Sequence, residues 1–68
     1  MKWKIKSKVI DTYKSSNNDI QDVYLIYVLD DNGRPIVATK AYGLEDRIHK
    51  TRMYTASYGR YLVSIEHE

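Results

Sequence analysis

The chain has no cysteine, which removes both disulfide staples and thiolate metal sites. Its three glycines are dispersed and form no phosphate-cradling loop. Histidine is scarce. His49 and His67 are the only two, and neither stands at a spacing suited to a metal. Ser57 with His49 implies no third group to orient a nucleophile, and Asp30-Asp31 are adjacent carboxylates of the kind that form solvated turns. These absences, in a chain with little room for a walled pocket, lead to the expectation of no metal, no cofactor and no enzyme. No apolar run approaches the ~20 residues of a membrane-spanning helix. The opening stretch alternates with lysine and does not run apolar as a secretion signal does. A cytoplasmic protein with no membrane partner is the corresponding expectation.

What is present is small, aromatic and basic at one end. Sixty-eight residues make one domain, residues 1–68, and a chain of this size buries only about 60% of its unfolded surface. With seven tyrosines, one tryptophan and no phenylalanine, the core must be built partly from rings that keep a polar edge. Lysine and arginine total 11 against 9 acidic residues, which excludes a carboxylate-dense mimic of DNA. Residues 1–14 hold five lysines against the single Asp11, so the positive charge is concentrated in this segment.

The first segment, MKWKIKSKV, places Lys2, Lys4, Lys6 and Lys8 at every second position, with Trp3, Ile5 and Val9 between them. Side chains alternate faces along a strand. A strand over 2–13 therefore carries one apolar and one basic face, with an irregularity expected at Ile10-Asp11. A polar loop at 15–19 follows. Residues 22–29 are apolar on both parities, as in a strand that is central or covered on both faces. Asn32-Gly33 favours a hairpin turn, and Pro35 opens a third strand through Tyr42, tolerable at a strand's first residue or on an edge. From Leu44 to about Ser57 the spacing of Leu44, Ile48, Thr51, Thr55 and Tyr58 predicts a helix with those residues inward. Glu45 and Asp46 lie in its first turn, and Gly59 suits its C-cap. A strand over 60–66 completes a β-β-β-α-β order. The predicted class is α+β, a small antiparallel sheet with one helix on one face. The alternative is a small all-β barrel with residues 51–66 as a hairpin.

Leu44 and Gly59 bracket the predicted helix, and Leu62 and Ile65 follow in a strand. Across this C-terminal part, the strand–Leu–helix–Gly–strand layout resembles small phage-encoded inhibitors, of the kinds that block a host RNA polymerase or a CRISPR surveillance complex. The resemblance is one of packing and carries over no binding residue. It implies a small phage-type protein that acts by attaching to a larger host machine.

Two surfaces are candidates for binding. Alternate residues on a strand stand about 6.6–6.8 Å apart, close to the phosphate spacing of a nucleic-acid strand, so Lys2, Lys4, Lys6 and Lys8 match a phosphate backbone. The same row also suits an acidic protein surface, or an edge strand protected from pairing. Arg47, Lys50, Met53 and Tyr54 are expected together on the outer side of the helix, with Arg52 beside them, in a composition common at protein interfaces. Tyr24, Tyr27 and Tyr61 on strands raise base stacking as a further idea, although no RNP-type run accompanies them. The leading expectation is a non-enzymatic module that binds and inhibits or modulates a larger host protein or complex. The alternatives are a nucleic-acid-binding accessory protein, and a homodimeric structural or antitoxin-like protein joined through Trp3, Ile5 and strand edges.

Overall fold

The computed structural model describes residues 2–68. Three strands, β1 (Trp3–Lys14), β2 (Ile20–Leu29) and β3 (Pro35–Tyr42), form an antiparallel meander, followed by α1 (Leu44–Tyr58), a 3-10 turn at Gly59–Tyr61, and β4 (Leu62–His67). The strand order is β3-β2-β1-β4. The fold is α+β, and the sheet stays open and does not close into a barrel. The last strand departs from a purely antiparallel arrangement, because β4 pairs with β1 in parallel. Two reversals make β3 run the same way as β1. The helix then returns the chain to the starting end of the sheet, so β4 must also run that way, as crossovers through a helix normally do.

Each connection has a local cause. At the β1–β2 turn, Asn18 takes φ 66°, a left-handed conformation that asparagine tolerates better than most residues. At the β2–β3 turn, Asp30 Oδ1 accepts the backbone N–H groups of Asn32 and Arg34, both at 2.9 Å, and Gly33 supplies φ 76°. Pro35 opens β3, an edge strand, where its missing N–H costs little. Gly43 precedes the helix at φ 91° and ψ 169°, a conformation essentially reserved for glycine. Asp46 then reaches back to accept the Tyr42 N–H at 2.9 Å. Gly59 does not take the left-handed C-cap expected of it. It has φ −53° and begins the 3-10 turn.

The core lies between α1 and one face of the sheet. Ile5, Tyr24, Ile26, Val28 and Ala41 form it, with Trp3, Val37, Tyr54, Tyr58 and Leu62 packed around them. Trp3 sits 4.6 Å from the Tyr61 ring and 6.0 Å from that of Tyr58, so an aromatic group closes the end of the core where phenylalanine would otherwise serve. The inward stripe of the helix is rotated from the one its spacing predicts: Thr51 and Tyr58 face inward as expected, Arg47 and Tyr54 join them, and the other three expected residues do not. Leu44 and Ile48 remain substantially exposed and Thr55 is exposed, while Thr51 is buried and Arg47, Tyr54 and Tyr58 are half-buried. The two tyrosine rings bury more area than Leu44 and Ile48 could, and the Arg47 guanidinium lies 4.8 Å over the Tyr24 ring. Helix α1 lies over β2 and β3, leaving the β4 side of that face partly open. The molecule is elongated, 42 × 19 × 15 Å with a radius of gyration of 12.7 Å, against about 11 Å for a compact chain of this length. The 12 residues of β1 account for the long axis.

Candidate functional site

The registers place the lysines. Ile5 and Ser7 of β1 oppose Val28 and Ile26 of β2, and all four are fully buried beneath the helix. Lys4, Lys6 and Lys8 oppose Leu29, Tyr27 and Leu25 and so share the other face. Lys2 precedes β1 and is exposed, its backbone N–H donating to Asp31. The alternation ends at the β-bulge between Val9 and Asp11, which leaves Val9 and Ile10 exposed.

Read across the strands from the β2–β3 turn, this open face begins with three rows, and beyond them Tyr42, Val23 and Asp11 make a fourth and Gln21 and Tyr13 a fifth. The first runs Pro35, Leu29, Lys4, Ser64, the second Ala38, Tyr27, Lys6, Glu66, and the third Lys40, Leu25, Lys8. Its centre is a seam of Leu25, Tyr27 and Leu29, each half-buried by its neighbours alone. A shallow depression of about 370 Å³ is lined by these three with Lys8, Pro35 and Ala38. The lysines border the seam on the β1 side and Lys40 borders it on the β3 side.

The lysine row is partly neutralised. Because β4 lies parallel beside β1, Glu66 stands 3.4 Å from Lys4 Nζ and Glu68 stands 3.5 Å from Lys6 Nζ. A hydrogen bond from Ser64 and the pair with Lys4 hold the Glu66 carboxyl below its ordinary pKa, so it is charged at neutral pH.

The helix residues do not assemble as expected. Arg47 and Tyr54 turn inward because their flat groups pack on Tyr24 and beside Tyr58. Burial raises the Tyr54 pKa, with Tyr58 adding to it. Lys50 is half-buried and pairs with Asp46 at 3.3 Å. Only Arg52 and Met53 are fully on the outside. Of the three strand tyrosines proposed for stacking, Tyr24 is buried in the core and Tyr61, which falls in the 3-10 turn, packs on Trp3. Tyr27 alone is presented on the open face.

Among the described residues, no three His, Cys, Asp or Glu side chains gather to hold a metal. Ser57 and His49 are both exposed, eight residues apart on one helix, which is about 12 Å along its axis. A different serine and histidine do meet: the Ser7 hydroxyl hydrogen-bonds His67 Nδ1. Ser7 is fully buried, so its oxygen faces no substrate. The contact ties the chain's last strand to β1, together with the Glu68 N–H donated to the Ser7 carbonyl at 2.8 Å.

Sequence reasoning named the lysines but missed the seam between them and Lys40. The signal was available. A strand apolar on both parities, in a chain with one helix, must leave one apolar face uncovered. Among the described residues, no helix is long and apolar enough to cross a membrane. The chain matches no protein-family model, no curated protein and no solved structure.

Proposed function

We propose that this chain is a non-enzymatic interaction module whose open sheet face docks on a larger protein or complex, inhibiting or modulating it. The observation that carries this reading is the Leu25–Tyr27–Leu29 seam, left uncovered by α1 and bordered by Lys4, Lys6, Lys8 and Lys40. An apolar centre within a charged rim is the anatomy of a protein interface. The partner it fits presents an apolar anchor surrounded by carboxylates, and the lysines raise the rate of encounter more than they add affinity. A phosphate backbone fits less well. Glu66 and Glu68 stand within the lysine row, and of the tyrosines the register places on this face, Tyr13 and Tyr42 pack edge to face on each other, which leaves Tyr27 as the one ring among the lysines.

The test is capture from lysate with and without nuclease, using the parent chain and Tyr27→Ser. A protein retained after nuclease treatment and lost with Tyr27→Ser supports the reading. Loss of all capture on nuclease treatment, with steeply salt-dependent binding to purified nucleic acid, assigns the face to nucleic acid instead.

A further inference from the structure

The two edges of the sheet are unequal. The β3 edge carries Pro35 at its first residue, Arg34 before it and Lys40 within it, and its register with β2 is interrupted between Val28 and Leu29. These are devices that discourage pairing with another chain. On β4 they are largely missing. The strand has no proline, lysine or arginine. Its one irregularity lies at its start, and from Ser64 to His67 it runs in regular register with β1. The two carboxylates near its end are drawn toward β1 by Lys4 and Lys6, and the His67 ring is held by Ser7. The free edge thus has its own charges turned away from it.

Beside that edge lies unspent apolar surface. Val63 is 58% exposed, Ile65 46% and Ile48 43%. An apolar groove of about 510 Å³ separates β4 from α1, lined by Ile48, Thr55, Ala56, Ile65 and His67 among others. Among the described residues only six hydrophobic side chains are buried, and chains of this size without a disulfide or a metal commonly complete their core by self-association.

We propose that β4 pairs antiparallel with β4 of a second copy of this chain, about a twofold axis at Ile65, joining two four-stranded sheets into one of eight strands. The strand is self-complementary in that register. Ile65 meets Ile65, the Ser64 hydroxyl faces Glu66 of the second copy, and Val63 faces His67. No two like charges stand opposite each other, which in a cross-strand position would be destabilising. A twofold contact uses the same patch on both partners, and this edge meets that condition with an apolar centre. The interface differs from one built on Trp3 and Ile5, which are taken up by the core of a single chain.

Light scattering after size exclusion, across a range of concentrations, tests the assembly. The expected mass rises toward twice the 8.0 kDa of one chain. Ile65→Lys sets two cations opposite each other at the axis and halves the limiting mass. Ile36→Lys, at a β3 residue of similar exposure, leaves it unchanged. Amide exchange of the parent chain gives a readout that needs no variant: the Glu68 N–H bonds β1, so by alternation the Ile65 and His67 N–H groups face the free edge, and their exchange slows with rising concentration if this edge is the interface. A monomeric mass throughout, concentration-independent exchange at those amides, or a dimer that a folded Ile65→Lys retains would overturn the proposal.

Discussion

At His67, partial burial and a neighbouring cation together set a pH dependence. Burial first, and then the nearby Arg47 cation, hold its pKa below the ordinary imidazole value. Its neutral form is therefore the one the fold prefers. The unfolded chain takes up a proton at a higher pH than the folded chain does. The stability this histidine contributes is then fully present above its unfolded pKa and is lost as pH falls through its folded pKa. Denaturant midpoints measured from neutral pH downward should fall across the histidine range, and His67→Gln should flatten that step. The lowered Asp46 pKa, caused chiefly by the Tyr42 N–H, follows the same sign but acts at more acid pH, so the two can be separated. Arg47→Met should raise the His67 pKa, read from the imidazole NMR shift. It should change stability by no more than about 1 kcal/mol, because the lost cation–π contact is offset by removing a buried Nε that has no hydrogen-bond partner.

At the scale of elements, the hairpins are made by short-range chemistry and the helix by what it lands on. Asp30, Gly33 and Asn18 each satisfy a turn through their own backbone or an immediate neighbour, and such features were legible in the chain. The helix limits, Leu44 to Tyr58, were also nearly readable, from Gly43 and the acidic first turn. Its rotation was not. Periodicity favoured Leu44 and Ile48 as the inward residues, but two tyrosine rings and an arginine over Tyr24 fill the space above β2 better. That comparison requires the sheet surface to be in place. Entry into the helix depends on Gly43. A Cβ there would lie 2.1 Å from Gln21 Oε1, in a backbone conformation few side chains adopt. Gly43→Ala should therefore cost about 1–3 kcal/mol, measured by urea unfolding, with part of the clash relieved by movement of the Gln21 side chain.

For the whole molecule, one helix on a four-stranded sheet leaves two unsatisfied surfaces on different sides. The Leu25–Tyr27–Leu29 seam lies on the open face, and the β4 edge lies beside the helix-side groove. The two proposals are consequently separable. Tyr27→Ser should abolish partner capture without changing the limiting mass, and Ile65→Lys should halve the mass while the seam stays competent. Loss of both properties in either single variant, with the fold intact by circular dichroism, would show that the two surfaces are one.

By itself the sequence determined the first three strands, the turns between them and the segregation of lysine from apolar residues along β1, and it marked where a helix would start and stop while leaving residues 51–66 open to a hairpin. All of these follow from alternation and from backbone preferences acting over a few residues. Only the tertiary structure decided that β4 lies parallel to β1, that its glutamates neutralise part of the lysine row, that Arg47 and Tyr54 turn inward, and that Ser7 meets His67. Those outcomes pair residues as far as sixty-two positions apart, as in Lys4 with Glu66. They depend on which strand the returning chain settles against, which the competition for burial over the assembled sheet decides and no local pattern encodes.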